Sequence, residues 1–156
     1  MFDAPADTWY LWLGVAAASV AAFGVAAGLP TAAPADARRA AATVDAVAAS
    51  PHEATASHPL RADAVRLGTS RVALRTDGGV THATFTEGPV TPVRDGGPLA
   101  AVLRGTAPAG AFPDPAALRR ALEAARNRGG EWQETDGQLR VRRITWEGVN
   151  ATIVGA

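Results

Sequence analysis

The run WYLWLGVAAASVAAFGVAAGL, Trp9 to Leu29, contains no charged residue. As a helix rising about 1.5 Å per residue it is roughly 31 Å long, which matches a bilayer hydrocarbon core of about 30 Å. It opens on Trp9, Tyr10 and Trp12, whose amphipathic rings suit headgroup depth. It stops at Pro30, with a second proline at Pro34. We read residues 9–29 as one transmembrane helix, with Trp9, Tyr10 and Trp12 as membrane-interface anchors and lipid as the first partner. The rest of the chain then works beside a membrane.

Three rival readings fit less well. A cleaved secretory signal needs a basic start and a short apolar core, whereas the chain starts MFDAPADT, with two aspartates and no basic residue. A buried helix of a soluble domain would show a polar edge and would not need this length. A helix lying flat in the interface requires a charged face, and residues 9–29 have none.

The chain has 156 residues, enough for this span and one small domain. Cysteine is absent, which excludes disulfides and thiolate chemistry. All fifteen basic residues are arginine and are balanced by fifteen acidic ones. Zero net charge gives no general attraction to nucleic acid.

Residues 1–8 form a short acidic tail, 9–29 the span, 30–35 (PTAAPA) a stiff linker, and 36–156 a small α+β head. Asp36 reads as the N-cap of a helix over residues 37–49, with Val44, Val47 and Ala48 on one side. Residues 50–60 read as a loop. Ala64–Leu67 and Arg71–Thr76 alternate as strands, and Asp77-Gly78-Gly79 signals a hairpin whose two turn positions have positive φ. Residues 80–86 return, placing Ala83 and Phe85 against Val72 and Leu74. Residues 99–104 read as a short helical turn. Asp114-Pro115 opens the clearest helix of the head: N-cap, proline at the first position, and Leu118, Ala121, Leu122 and Ala125 in one stripe ending at Gly129. Strands over 131–135 and 138–146 flank Asp136-Gly137, a hairpin signal that pairs Trp132 with Val141 and Glu131 with Arg142. The apolar parity changes between Leu139/Val141 and Ile144/Trp146, which predicts a β-bulge near Arg142-Arg143. A last strand covers 149–154. The fold class expected is thus α+β: one N-terminal transmembrane helix, then antiparallel hairpins with one or two packed helices.

Gly24 and Gly28 form a GxxxG pair, and Gly14 and Ala18 extend small faces along the span. All four are candidates for helix–helix packing. Arg140, Arg142 and Arg143 lie among acidic residues with no aromatic ladder, so they read as surface ion pairs rather than a nucleic-acid patch. His52 and His58 in a loop and His82 on a strand lack metal-site spacing. No serine has a nucleophile-elbow context, and the glycine pairs match no phosphate-binding fingerprint. Asn150-Ala151-Thr152 is a glycosylation sequon placed in a strand. No catalytic residue, cofactor, metal or small-molecule substrate is expected.

The segments DAPADTWYLWLGVAAASVAAFGVAAGLP (3–30), TVDAVAASP (43–51) and PLRADAVRLGTSRVALRTDGG (59–79) resemble a family of small uncharacterised haloarchaeal membrane proteins. That family is associated with pilin-like proteins beside type II/IV secretion or pilus machinery. The resemblance implies no catalytic residues and a pilin-like layout of apolar helix plus α+β head. It implies other membrane, pilus or secretion subunits as partners. The chain lacks the basic residue and glycine that a prepilin peptidase site requires, so an accessory role is implied rather than that of a processed pilin. The head is expected outside the cell membrane. The alternative is a membrane-tethered cytoplasmic adaptor, supported by Arg38 and Arg39 beyond the C-terminal flank and no basic residue before the span.

Overall fold

A computed structural model describes residues 36–156 of the chain. The transmembrane reading of residues 9–29, its anchors Trp9, Tyr10 and Trp12, and the packing candidates Gly14, Ala18, Gly24 and Gly28 lie outside the described residues. Among the described residues, no helix is long and apolar enough to cross a membrane.

The described residues form a small α+β domain with two four-stranded sheets. In chain order the elements are α1 (Ala37–Ala48), β1 (Ala54–Pro59), β2 (Ala64–Leu67), β3 (Arg71–Thr76), β4 (Gly79–Thr84) and β5 (Thr91–Pro92). There follow α2 (Gly97–Leu103), α3 (Pro108–Ala111), α4 (Pro115–Asn127), β6 (Trp132–Glu134), β7 (Gln138–Trp146) and β8 (Val149–Gly155). The first sheet has the order β1-β7-β8-β5, and the second β4-β3-β2-β6. All pairs are antiparallel except β5 with β8.

Helix α1 forms where the sequence places it. The Asp36 carboxylate accepts from the Arg39 amide at 3.1 Å, satisfying one orphan donor of the first turn. Its buried residues Ala37, Ala40, Ala41, Val44 and Val47 make a helical stripe. The small alanines let the axis lie close to the strands. The helix ends are tied as well: the Asp45 carboxylate accepts from the amides of Thr86 at 2.9 Å and Glu87 at 3.0 Å. Helix α4 repeats the logic, with Asp114 accepting from the Ala117 amide at 2.7 Å and Leu118, Leu122 and Ala125 buried.

Two apolar cores lie on opposite faces of the first sheet. One gathers α1, the inward face of the second sheet (Val65, Leu67, Val72, Leu74), and Leu139, Val141 and Val154 of the first. The other gathers α2, Phe112 and α4 against Ile144, Val149, Ala151 and Ile153. Strand β7 therefore serves both cores. This corrects the bulge expected near Arg142-Arg143. The register to β8 runs unbroken from Arg140↔Gly155 to Trp146↔Val149, and that to β1 from Ala54↔Arg143 to Pro59↔Gln138. No residue is inserted. Leu139 and Val141 point into the first core, Ile144 and Trp146 to the second, because the sheet is covered on both faces.

The hairpin expected about Asp136-Gly137 is also corrected. Strand β6 pairs with β2, setting Trp132 opposite Arg66, while β7 pairs with β1 and β8. Glu131 meets Arg94 at 2.7 Å instead of Arg142. Residues 135–137 carry the chain from one sheet to the other, and Gly137 has φ +84°. A turn dipeptide reports a sharp change of direction; burial decides which strand lies on the far side. The true two-residue primed turn is Glu147-Gly148, with φ of 43° and 78°, joining β7 to β8. At the β3–β4 hairpin, the positive φ falls on Gly79 alone, at +120°, and not on Asp77 or Gly78.

The loop expected over 50–60 contains β1, a strand with alternating half-buried and exposed residues. Its apolar positions are only Ala54 and Ala56, too small to show as a pattern, and it forms because β7 offers it an edge.

Candidate functional site

The three clustered arginines of β7 turn out to do separate structural jobs. Arg140 pairs with Asp136 at 2.9 Å, as an ion-pair reading requires. That contact is the main cause holding the Asp136 carboxyl below its usual value, with the Gln138 amide adding to it. Arg142 and Arg143 are adjacent, so they point to opposite faces. On one face Arg142 donates to the carbonyls of Val102 at 2.6 Å and Thr106 at 2.9 Å, at the C-terminal end of α2. On the other, Arg143 donates to the Ala48 carbonyl at the C-terminal end of α1. A cation there satisfies orphan carbonyls and meets the negative end of the helix dipole.

The histidines are dispersed. His52 is in a loop, His58 on β1 and His82 on β4. Among the described residues, no three His, Cys, Asp or Glu side chains come together as metal ligands would. Asn150 of the sequon is exposed on β8, where its side-chain oxygen accepts from the Thr145 hydroxyl at 2.9 Å.

The second sheet supplies the chemistry that sequence reasoning did not assemble. Its inward face is apolar, so the alternate residues of each strand share its outer face. The register sets Ala73 between Arg66 of β2 and His82 of β4, with Trp132 beyond Arg66. Arg71 and Arg75 flank Ala73 on β3 and share this face. The guanidinium carbons of Arg66 and Arg75 lie over the Trp132 ring, 5.2 and 4.8 Å from its centroid. Such contacts hold an arginine's stem while its donors stay in water.

Where this face meets the β2–β3 turn and the end of α4, there is a cavity of about 390 Å³. Arg66, Arg71, His82 and Arg126 line it together with Thr69 and Ser70, and no carboxylate does. Arg126 reaches it from α4, where its Nε donates to the Thr91 hydroxyl at 2.8 Å. Gly130 closes one side against β2: a Cβ there would lie 2.7 Å from the Leu67 carbonyl oxygen. A second groove, about 460 Å³, shares Arg71 and His82 and continues to Arg38 and Asp45 on α1.

The signal for the β-sheet part of this site was present in the sequence. Once Val65, Leu67, Val72 and Leu74 are assigned inward, Arg66, Arg71 and Arg75 must be outward. The contribution of Arg126, sixty residues downstream of Arg66 in the chain, was not readable.

No curated protein matches the chain, and no solved structure does. Comparison with protein families gives a match over residues 3–144, and with nearly its whole length covered the chain belongs to the family of unknown function DUF7283.

Proposed function

We propose that this protein is a single-pass, membrane-anchored, non-catalytic accessory subunit, with a pilin-like layout, of a surface pilus or secretion apparatus. The observation that carries the reading is the uncharged run at residues 9–29, joined by the linker 30–35 to a small α+β head. The resemblance to small haloarchaeal membrane proteins near pilus and secretion genes supports this assignment. Gly14, Ala18, Gly24 and Gly28 give the span small faces for packing against other subunits. The head then serves protein contacts outside the cell. The second reading is a cytoplasmic adaptor on the same anchor, favoured by Arg38 and Arg39 following the span.

Sidedness separates the two. Asp77 is exposed in the β3–β4 turn, and the native chain has no cysteine. An Asp77→Cys protein is expected to label with a membrane-impermeant maleimide in intact cells. Labelling only after lysis sinks the extracytoplasmic assignment and supports the adaptor. Recovery of the whole chain in the soluble fraction, without detergent, sinks both.

A further inference from the structure

The cavity on the outer face of the second sheet has a lining of one sign. We propose that it is a binding site for a phosphate-type oxyanion, held by Arg66, Arg71 and Arg126, with His82 and the hydroxyls of Thr69 and Ser70 completing the donor set.

Four features support this assignment. First, the chain is electrically neutral, yet three arginines and a histidine converge on one concave surface that no Asp or Glu lines. Glu134 shares the outer face but stands outside the cavity. Like charges gathered in a concavity repel, and a bound anion removes that cost. Second, no carboxylate among the described residues pairs with these side chains. The ion pairs of the described residues join Arg39, Arg94, Arg104 and Arg140 to carboxylates, and none involves Arg66, Arg71, Arg126 or His82. Third, two of the arginines are held in place with donors to spare. Arg126 spends only its Nε on Thr91, and Arg66 is steadied by the Trp132 ring. A planar guanidinium so held presents paired N–H donors that match two oxygens of a phosphate. Fourth, there is room. Ala73, a small residue, forms the floor between Arg66 and His82, and Gly68, Gly129 and Gly130 carry no side chain into the opening.

Phosphate oxygens of this kind come from a free phosphorylated solute or from a lipid headgroup. The groove through Arg71 and His82 leads on to Arg38 near the start of the head, and there Asp45 also lines it. The headgroup source rests on the membrane-anchor reading; the site itself does not.

The test uses the full chain in nanodiscs of zwitterionic lipid, titrated calorimetrically with inorganic pyrophosphate against sodium chloride of matched ionic strength. Saturable binding is expected. It should weaken roughly tenfold or more in Arg71→Gln and in Arg66→Gln, since each removes a charge-assisted pair of hydrogen bonds. Arg119→Gln, on the exposed side of α4, should leave it unchanged. Far-UV circular dichroism checks that each variant is folded. Arg71 is exposed and makes no described ion pair, so its variant keeps the test valid if Arg66→Gln fails to fold. Absence of binding in the folded parent overturns the proposal, as does equal weakening by Arg119→Gln. In discs containing phosphatidylglycerol, weaker apparent pyrophosphate affinity supports the site with headgroups as its occupant. Unchanged affinity supports it with a free phosphorylated solute. If the chain proves soluble without lipid, the titration is run in buffer: binding there upholds the site while the anchor reading fails.

Discussion

Strand β7 divides its apolar residues between two cores, and that division has a thermodynamic signature. Val141 and Ile144 are both 0% exposed, but they belong to separate clusters on opposite faces of the first sheet. Three residues of extended strand put them about 10 Å apart. Val141→Ala removes two methyl groups; at about 0.8 kcal/mol each plus the cavity left behind, the cost is about 2–3 kcal/mol. Ile144→Val removes one, for about 1 kcal/mol. Sites this far apart with no shared partners add to within about 0.5 kcal/mol. The double variant should therefore lose about 3–4 kcal/mol, which a domain of typical stability, about 5–15 kcal/mol, survives. The assay is urea unfolding of residues 36–156, within which both cores close, followed by tryptophan fluorescence. Within this domain only Trp132 and Trp146 report. A coupling above about 1 kcal/mol refutes the two-faced strand. That coupling is what a bulge would produce by placing the two side chains together in one core.

Other expectations follow from particular contacts. Arg143→Met keeps most of the stem but strands the Ala48 carbonyl at the end of α1. It should cost about 1–2 kcal/mol in urea unfolding, and a neutral result would show that solvent replaces the guanidinium. Gly155→Ala places a Cβ 2.7 Å from Leu103 Cδ2 and 3.1 Å from the Val93 carbonyl oxygen. Thermal unfolding should show about 1–3 kcal/mol of destabilisation from overpacking, and an unchanged Tm would mean that α2 shifts freely. Asp136 has its folded pKa below its unfolded value because Arg140 donates to it. Its contribution is therefore present above the ordinary aspartate pKa and fades as pH falls through the lower folded value. Carboxyl NMR titration should show the midpoint rise in Arg140→Gln; an unmoved midpoint would remove Arg140 as the cause.

Much of the head was legible locally. The aspartate caps at Asp36 and Asp114 and the stripes that follow them specify α1 and α4, because a helix closes its hydrogen bonds within itself. Strands β2, β3 and β4 were legible from alternation, and their hairpin from its turn residues. The site was half legible: Arg66 and Arg71 are outward by parity, whereas Arg126 enters only through the path of α4 and its bond to Thr91. Arg142 and Arg143 looked like surface charges because the helix ends they cap are distant in the chain.

By itself, the sequence determined the α+β class, the helices α1 and α4, and which residues of β2 and β3 face inward, whereas the short helix α3 falls where the sequence reads as loop. It also raised the membrane-anchor reading of residues 9–29. Tertiary structure alone decided what paired with what. It split β7 between two cores, took β6 from its hairpin neighbour to β2, and made a strand of residues 54–59. The reason is physical: helices and tight turns satisfy their backbone within a few residues, while a strand leaves its hydrogen bonds open to any edge that also buries its apolar face.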